Sequence, residues 1–420
     1  MRRRVALLAL AALALPAGCG EGATDDNVVA SVPAGAEGYL HLARDADDWE
    51  DAREALGRLP AFEAVVLELL AGAVQVPGDG EAGLALLPGA DEPVLLAPDD
   101  PAESRSLADA PDYRRLLGGL PDQRFVHAYV ARGAAGFLRS LDETVASAAV
   151  AADVDDDRMR IRAQIRHRGE PGPCGLGSGE PEIVDVADPE AALYVEVPSV
   201  ACAIGALRER SEGVDDALAG FGRMAERRGG VSLDGELMPF LERRGALIAS
   251  PGAGTPTLTL VVDGVDEREA IDLLARVQPA LIQLLAPRQL GQAPTFGSVD
   301  VAGVTAATVR IAPGIELSYA AWDDRLVLST GVGGIAAMRR GDGLPGTDGF
   351  DAVLADARDD AAALVFLDLN QLLTLAEAAG LAQDPRYVAV RDDLQKLRAA
   401  GAVLSREEDF TTGELIFQIP

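Results

Sequence analysis

The stretch that decides the fold is Ala36-Glu37-Gly38-Tyr39-Leu40-His41-Leu42-Ala43-Arg44, which runs on through Asp45 to Pro60. Tyr39 to Leu42 reads as a short strand. Beyond it, Trp49, Ala52, Leu56 and Leu59 fall on one face of a helix that Pro60 ends. The same strand-then-helix unit returns 155 residues later, where Ala191 matches Ala36, Tyr194 matches Tyr39, and Arg208-Glu209 match Arg53-Glu54. A second set of matches, Leu107, Tyr113 and Tyr129 against Leu344, Phe350 and Phe366, lies 237 residues apart. Between the two sets, Gly83-Leu84-Ala85-Leu86 resembles Gly245-Ala246-Leu247-Ile248, 162 residues on. The chain therefore reads as two related halves.

The growth in spacing between Ile248 and Leu344 places an insertion in the second half, at about 258–335. Asp266 and Glu267 open an amphipathic helix there, carrying Ala270, Leu273, Leu274 and Val277. A meander follows through Val299-Asp300-Val301, Val304 to Ile311, Glu316 to Ala321 and Arg325 to Thr330. Its turns fall at Ala302-Gly303, Pro313-Gly314 and Asp323-Asp324. A hairpin closes each half, at Val145 to Ile165 and at Ala402 to Ile419. Strand–helix units mixed with meanders predict an α+β protein with a largely antiparallel sheet and helices packed on one face. The expected divisions are a signal peptide over 1–18, a flexible tether over 19–31, a first half over 32–170 and a second over 182–420.

At the N-terminus, Arg2, Arg3 and Arg4 precede the apolar run Val5 to Leu15, followed by Leu15-Pro16-Ala17-Gly18-Cys19. The run is about half the ~20 residues needed to span a bilayer, so it reads as a signal peptide ending in a lipobox-like site. Ala17 and Gly18 are small enough to admit a peptidase, and the Cys19 thiol can carry diacylglycerol. This predicts an extracytoplasmic protein held on the cell membrane by lipid on Cys19. The other two of the chain's three cysteines are Cys174, in the loop Pro171 to Gly179, and Cys202, in the first turn of a helix capped by Ser199. In an oxidising compartment they are a candidate disulfide; the alternative is one buried thiol and one loop thiol.

A formal charge of -30 repels phosphate backbones, which argues against nucleic-acid partners. Lys396 is the only lysine and lacks a P-loop's glycines. Gly331-Val332-Gly333-Gly334-Ile335-Ala336 has the GxGxxA form of a dinucleotide fingerprint, but the strand before it belongs to an antiparallel meander, and the fingerprint needs a parallel βαβ unit. Turn geometry is the plainer explanation. Acidic clusters at Asp45 to Asp51 and Asp153 to Asp157 lack EF-hand spacing and read as a helix N-terminus and a hairpin turn. His41 and His127 fall within strands and His167 ends one. Ser178 sits in a loop, and no GxSxG elbow is present. No catalytic residue, cofactor or metal ligand is expected.

Val32-Pro33-Ala34 before the strand at Tyr39, Ser106-Leu107-Ala108-Asp109 with Tyr113-Arg114, Tyr129-Val130, and Pro239-Phe240-Leu241-Glu242-Arg243-Arg244-Gly245 resemble segments of the bacterial domain-of-unknown-function family 3352. The likeness spans most of the chain after the leader, with Phe240 and Glu242 standing where tryptophan and glycine are expected. It implies a secreted or membrane-anchored protein and carries no assigned activity. The helices Phe62 to Leu70, Leu273 to Leu285 and Gln371 to Ala379 are rich in apolar residues, and a sheet with helices on one face can enclose an apolar groove. The reading is a non-enzymatic binding protein of the cell envelope, taking a lipid, polymer or protein ligand. A structural or assembly factor acting through protein partners and a secreted hydrolase are the alternatives.

Overall fold

The computed structural model of the chain describes residues 28–42, 54, 57–60, 82–90, 93–96, 105–121, 124, 126–131, 144–155, 157–169, 180–252, 255–285, 294–312, 315–358, 361–378, 380–407 and 409–419. These fall into two compact units, one of Met1–Gly175, Ala352–Leu354 and Ala376–Pro420, the other of Leu176–Asp351 and Ala355–Leu375. The acidic stretch Asp45 to Asp51, the helix Phe62 to Leu70, Ser178, Cys19 and Cys174 lie outside the described residues.

The first unit opens with a 3-10 turn at Val28–Ser31, then β1 (Gly38–Leu42), β2 (Ala82–Leu86) and β3 (Val94–Leu96). A short helix α1 (Pro111–Leu117) follows, then β4 (Val126–Val130), β5 (Val145–Asp155) and β6 (Arg158–His167). All pairings are antiparallel: β1 lies between β2 and β4, and β4 continues into β5 and β6. Alternation along the strands sets Tyr39, His41, His127, Tyr129, Ala149 and Ala151 on one face, where Tyr113 and Leu116 of α1 close the core. Gly83 is required beneath this layer, because a Cβ there would meet Val28 Cγ1 at 2.5 Å and the Tyr39 ring at 3.0 Å.

The second unit repeats this plan. A 3-10 turn at Ile183–Val186 leads into β7 (Leu193–Val197), then α2 (Val200–Arg210), α3 (Glu212–Gly229) and a short α4 (Met238–Phe240). Next come β8 (Gly245–Ser250), β9 (Thr257–Asp263), α5 (Glu267–Leu285), β10 (Thr295–Val301), β11 (Val304–Ala312), β12 (Ile315–Trp322) and β13 (Arg325–Ser329). The unit continues through α6 (Val332–Arg340), α7 (Asp348–Leu354), β14 (Ala363–Asp368) and α8 (Leu369–Ala378), the ends of α7 and α8 counting with the first unit. β7 lies between β8 and β14 as β1 lies between β2 and β4. Tyr194 opposes Phe366 as Tyr39 opposes Tyr129. Tyr113 meets Tyr129 edge-on at 5.3 Å between ring centroids, and Phe350 meets Phe366 edge-on at 5.5 Å. The register corrects one match. Leu84 opposes Leu40 and Leu247 opposes Val195, so Ala246, not Gly245, occupies the place of Gly83. Gly245 answers a different demand, since a Cβ there would sit 2.4 Å from Val200 Cγ2 and 2.7 Å from the Val261 carbonyl.

The inserted segment is the expected helix and meander. Asp266 Oδ1 accepts from the amides of Arg268 and Glu269 and so starts α5. Ala302 and Gly303, and Asp323 and Asp324, turn the chain at positive φ. The fold is α+β with an antiparallel sheet, as expected. In this unit, however, the helices are not confined to one face. Leu260, Val262, Tyr319 and Leu326 pack with α2, α3 and α5, while Thr259 and Ser329, pointing the other way, meet α6. The meander widens the sheet so far that both of its faces carry apolar rows needing cover.

The chain's last elements, α9 (Pro385–Leu394), β15 (Ala399–Glu407) and β16 (Phe410–Gln418), return to the first unit. β16 pairs antiparallel with β6, so the two closing hairpins lie side by side, with Arg162 opposite Glu414 at mid-register. The division therefore departs from the expected halves 32–170 and 182–420, because a strand edge left open by β6 is filled by the counterpart hairpin.

Candidate functional site

Each unit holds a polar group at the same place in its sheet. In the first, His41 of β1 and His127 of β4 stand opposite each other, both 1% exposed, with ring centroids 5.0 Å apart. The Tyr113 hydroxyl, delivered by α1, hydrogen-bonds His127 Nε2 at 3.0 Å, and Tyr39 stacks beside His41. In the second, Glu196 takes the place of His41 and is fully buried. Its carboxylate accepts from the Tyr194 hydroxyl, from Arg244 Nη1 at 3.2 Å and from the Glu182 amide at 3.2 Å. Burial pushes the Glu196 carboxyl up from its ordinary range, while Tyr194 and Arg244 pull it back. Burial and the neighbouring carboxylate hold the Tyr194 hydroxyl well above its ordinary value. Both clusters are enclosed in the core, where their hydrogen bonds go to the protein itself.

The remaining candidates are dispersed. His167 bridges Thr144 Oγ1 at 2.8 Å and Thr411 Oγ1 at 2.9 Å. Asp153 lies 3.9 Å from Arg160 across the hairpin. Cys202, whose amide Ser199 Oγ caps at 3.2 Å, is disulfide-bonded. Of the glycines in the GxGxxA segment, Gly331 precedes α6 and Gly333 lies in its first turn, both with open space where a Cβ would stand, whereas a Cβ on Gly334 would stand 2.2 Å from both Ser329 Oγ and Thr259 Oγ1. The strand before them, β13, pairs antiparallel with β12 and β9, so no dinucleotide crevice forms there.

The segment Pro239 to Gly245 is likewise accounted for by its bonds. Arg243 donates to the Gly264 and Phe240 carbonyls at 3.0 and 2.8 Å, and Arg244 reaches Glu196. Beside it is a cleft of about 320 Å³ whose lining includes Phe240, Arg243, Glu269, Leu273 and Arg276. Arg276 is paired with Glu236 at 3.3 Å, so the cleft is close to charge-balanced.

One arrangement escaped the sequence reading. On β5, β6, β16 and β15 the face opposite α1 carries Val150, Ile165, Leu415 and Phe417, half-buried, and Leu404, 42% exposed, beside Ala148, Ala152, Ile161, Ala400 and Thr411, which are buried. Arg406 stands at one end of this face. Its Nη2 is buried and has no hydrogen-bond partner. The signal was available in the alternation of β15, which puts Arg406 on the side of Leu404 and Ala402, but the strand order that makes this a four-stranded face was not.

Among the described residues no helix is long and apolar enough to cross a membrane, and no group of side chains is arranged to hold a metal ion. No protein-family model and no curated protein matches the chain. Similar solved structures include three crystal forms of TP0453. Form III is 9% identical over 57% of this chain and 93% of that one, with a TM-score of 0.28. Form IV is 10% identical over 59% and 94%, also at 0.28, and form I is 11% identical over 57% and 80%, at 0.26. TM-scores of this size fall short of a shared fold.

Proposed function

We propose that this chain is an exported, lipid-anchored binding protein of the bacterial cell envelope, taking its ligand without chemical turnover. The observation that carries the reading is Leu15-Pro16-Ala17-Gly18-Cys19 behind Arg2 to Arg4 and a short apolar run. Membership of family 3352, whose members are secreted or membrane-anchored, belongs to the same reading. The absence of turnover is supported by where the histidines go: His127 is bonded to Tyr113 and His167 to Thr144 and Thr411 within the core. Cys174 follows as the partner of Cys202, since an acylated Cys19 has no thiol left to offer. Mass spectrometry of the N-terminal peptide from native membranes tests the anchor. A diacylglyceryl Cys19, and release of the C19S variant from the membrane fraction, is the expected result. An unmodified N-terminus beginning beyond Cys19 would overturn it.

A second reading, an assembly factor working through protein partners, is favoured by β10. This strand is paired only with β11 among the described strands and is exposed along most of its length, with Phe296 64% exposed. A photo-crosslinker at Phe296 that traps a defined envelope protein in cells would favour that reading over ligand binding.

A further inference from the structure

We propose that the cleft between the segment Gly235 to Arg243 and helix α5 binds a free apolar α-amino acid, with its carboxylate on Arg243, its ammonium on Glu269 and its side chain over Phe240 and Leu273. The proposal rests on the binding-protein reading and names a small zwitterion as the ligand, in place of the lipid, polymer or protein expected from the sequence.

The cleft's volume of about 320 Å³ lies at the small end of the ~300–1,000 Å³ usual for small-molecule sites. From α5 it takes Glu269, Leu273 and Arg276, which at spacings of four and three residues share one helix face. Glu269 and Arg276 stand roughly 10 Å apart along the helix axis, at ~1.5 Å per residue. At the far end Arg276 is already paired with Glu236. The near end, at the first turn of α5, is different. There Arg243 donates from Nε to the Gly264 carbonyl and from Nη1 to the Phe240 carbonyl, and its guanidinium lies 5.1 Å from the centre of the Phe240 ring. These contacts hold the guanidinium in place and leave both hydrogens of Nη2 to donate. Among the described residues Arg243 has no acid partner, and the Glu269 carboxylate has neither a hydrogen bond nor an ion pair. Both can be reached from solvent, since Glu269 is exposed and Arg243 half-buried.

One end of the cleft thus offers two opposite charges that do not pair with each other. A simple anion would meet Arg243 and be repelled by Glu269, and a simple cation would meet the reverse. A ligand with both charges on neighbouring carbons satisfies both through charge-assisted hydrogen bonds. Because the guanidinium is fixed beforehand by two carbonyls and a ring, little side-chain freedom is lost when the carboxylate docks. Phe240 and Leu273 supply the apolar surface between this end and the Arg276–Glu236 pair, which selects an aliphatic or aromatic side chain. A zwitterion carries no net charge, so the chain's own charge of -30 does not repel it.

The test is isothermal titration of the full chain with L-leucine, with N-acetyl-L-leucine, which lacks the ammonium, and with L-leucinamide, which lacks the carboxylate. Saturable binding of leucine is expected, with each blocked form weaker by about tenfold or more, the size of one lost charge-assisted bond. E269Q should weaken leucine and leucinamide by about tenfold and leave N-acetyl-leucine no weaker. R243Q should do the converse, weakening leucine and N-acetyl-leucine and sparing leucinamide. Circular dichroism reports whether each variant folds, and the exposed Glu269 keeps the test decisive should R243Q lose its fold. No leucine binding by the folded wild type, equal binding of the blocked forms, or an E269Q variant that binds leucine as well as the parent would overturn the proposal. An acylated, membrane-bound chain that ignores leucine would overturn this inference alone and leave the binding-protein reading standing.

Discussion

Glu196 shows how much a single buried position can demand. Its carboxylate is out of reach of water and depends on Tyr194, Arg244 and the Glu182 amide. E196A should cost about 3–5 kcal/mol in urea denaturation, because it strands the Arg244 guanidinium beside an apolar core. E196Q keeps the shape and loses the charge. A carboxyl raised by burial stabilises the fold most when protonated, so its contribution is full below its unfolded value and declines as pH rises through the folded one. The wild type should therefore lose ground to E196Q as pH rises above the ordinary carboxylate range; a difference that stays constant with pH would contradict it. Tyr129 follows the same sign at the alkaline end. Burial first, and Asp112 after it, push its hydroxyl up to about 12, so stability should fall as pH rises from 10 towards 12 and Y129F should blunt the fall. At this scale the sequence is informative where identity repeats. Tyr39 and Tyr194, or Tyr113 and Phe350, announce themselves as equivalents. Glu196 in the place of His41 was visible, but its partner was not, because Arg244 is distant in sequence and is brought close only when β8 pairs with β7.

Elements are fixed as much by what cannot fit between them as by what does. Helix α6 lies so close to β9 and β13 that Gly334 has no room for a Cβ against Thr259 and Ser329. G334A should thus destabilise the chain by about 1–3 kcal/mol in thermal or chemical denaturation. Replacing Thr259 and Ser329 with alanine in the same chain removes the two clashing oxygens and should recover part of the loss; no recovery would mean that α6 is not seated on these hydroxyls. Glu377, near the end of α8, accepts from Nε and Nη2 of Arg391 in α9, at 2.8 and 2.9 Å. That arginine first, then Tyr387, hold its carboxyl down at about 2. A lowered carboxyl stabilises when ionised, so the clamp should persist at neutral pH and fail as pH drops from the ordinary glutamate range through about 2. E377Q should raise amide exchange over 385–394 at neutral pH without moving exchange in β5 or β6. Periodicity made helices and hairpins legible, down to Asp266 at the start of α5 and the Asp323-Asp324 turn. The layering was less so. Strand alternation tells which residues share a face, but not that a widened sheet would need helices on both sides.

At the scale of the whole molecule, the hairpins that looked like the ends of separate halves turn out to be neighbours. Each was recognisable in the sequence, at Val145 to Ile165 and Ala402 to Ile419. Their pairing was not, because no local pattern reports which open edge a distant strand will fill. β6 carries Arg160 and Arg162, which without β16 would lose Glu414, at 3.3 and 2.9 Å. They would also lose a full ladder of backbone bonds from Arg158 to Arg166. The exposed strand that remained would be long and alternately apolar, through Met159, Ile161 and Ile165, the kind of edge that recruits other strands. A chain ending before β15 should therefore fail to hold the first unit as a monomer, eluting as oligomer or precipitate. The second unit, whose strands β7 to β14 lie entirely upstream of the cut, should keep its protease-resistant core. The milder variant E414R keeps every backbone bond and sets three arginines together, so it should destabilise the first unit without causing aggregation. If the truncated chain instead ran as a monomer with β5 and β6 protected from exchange, the return of the C-terminus would be an ornament of the sheet and not a condition for its closure.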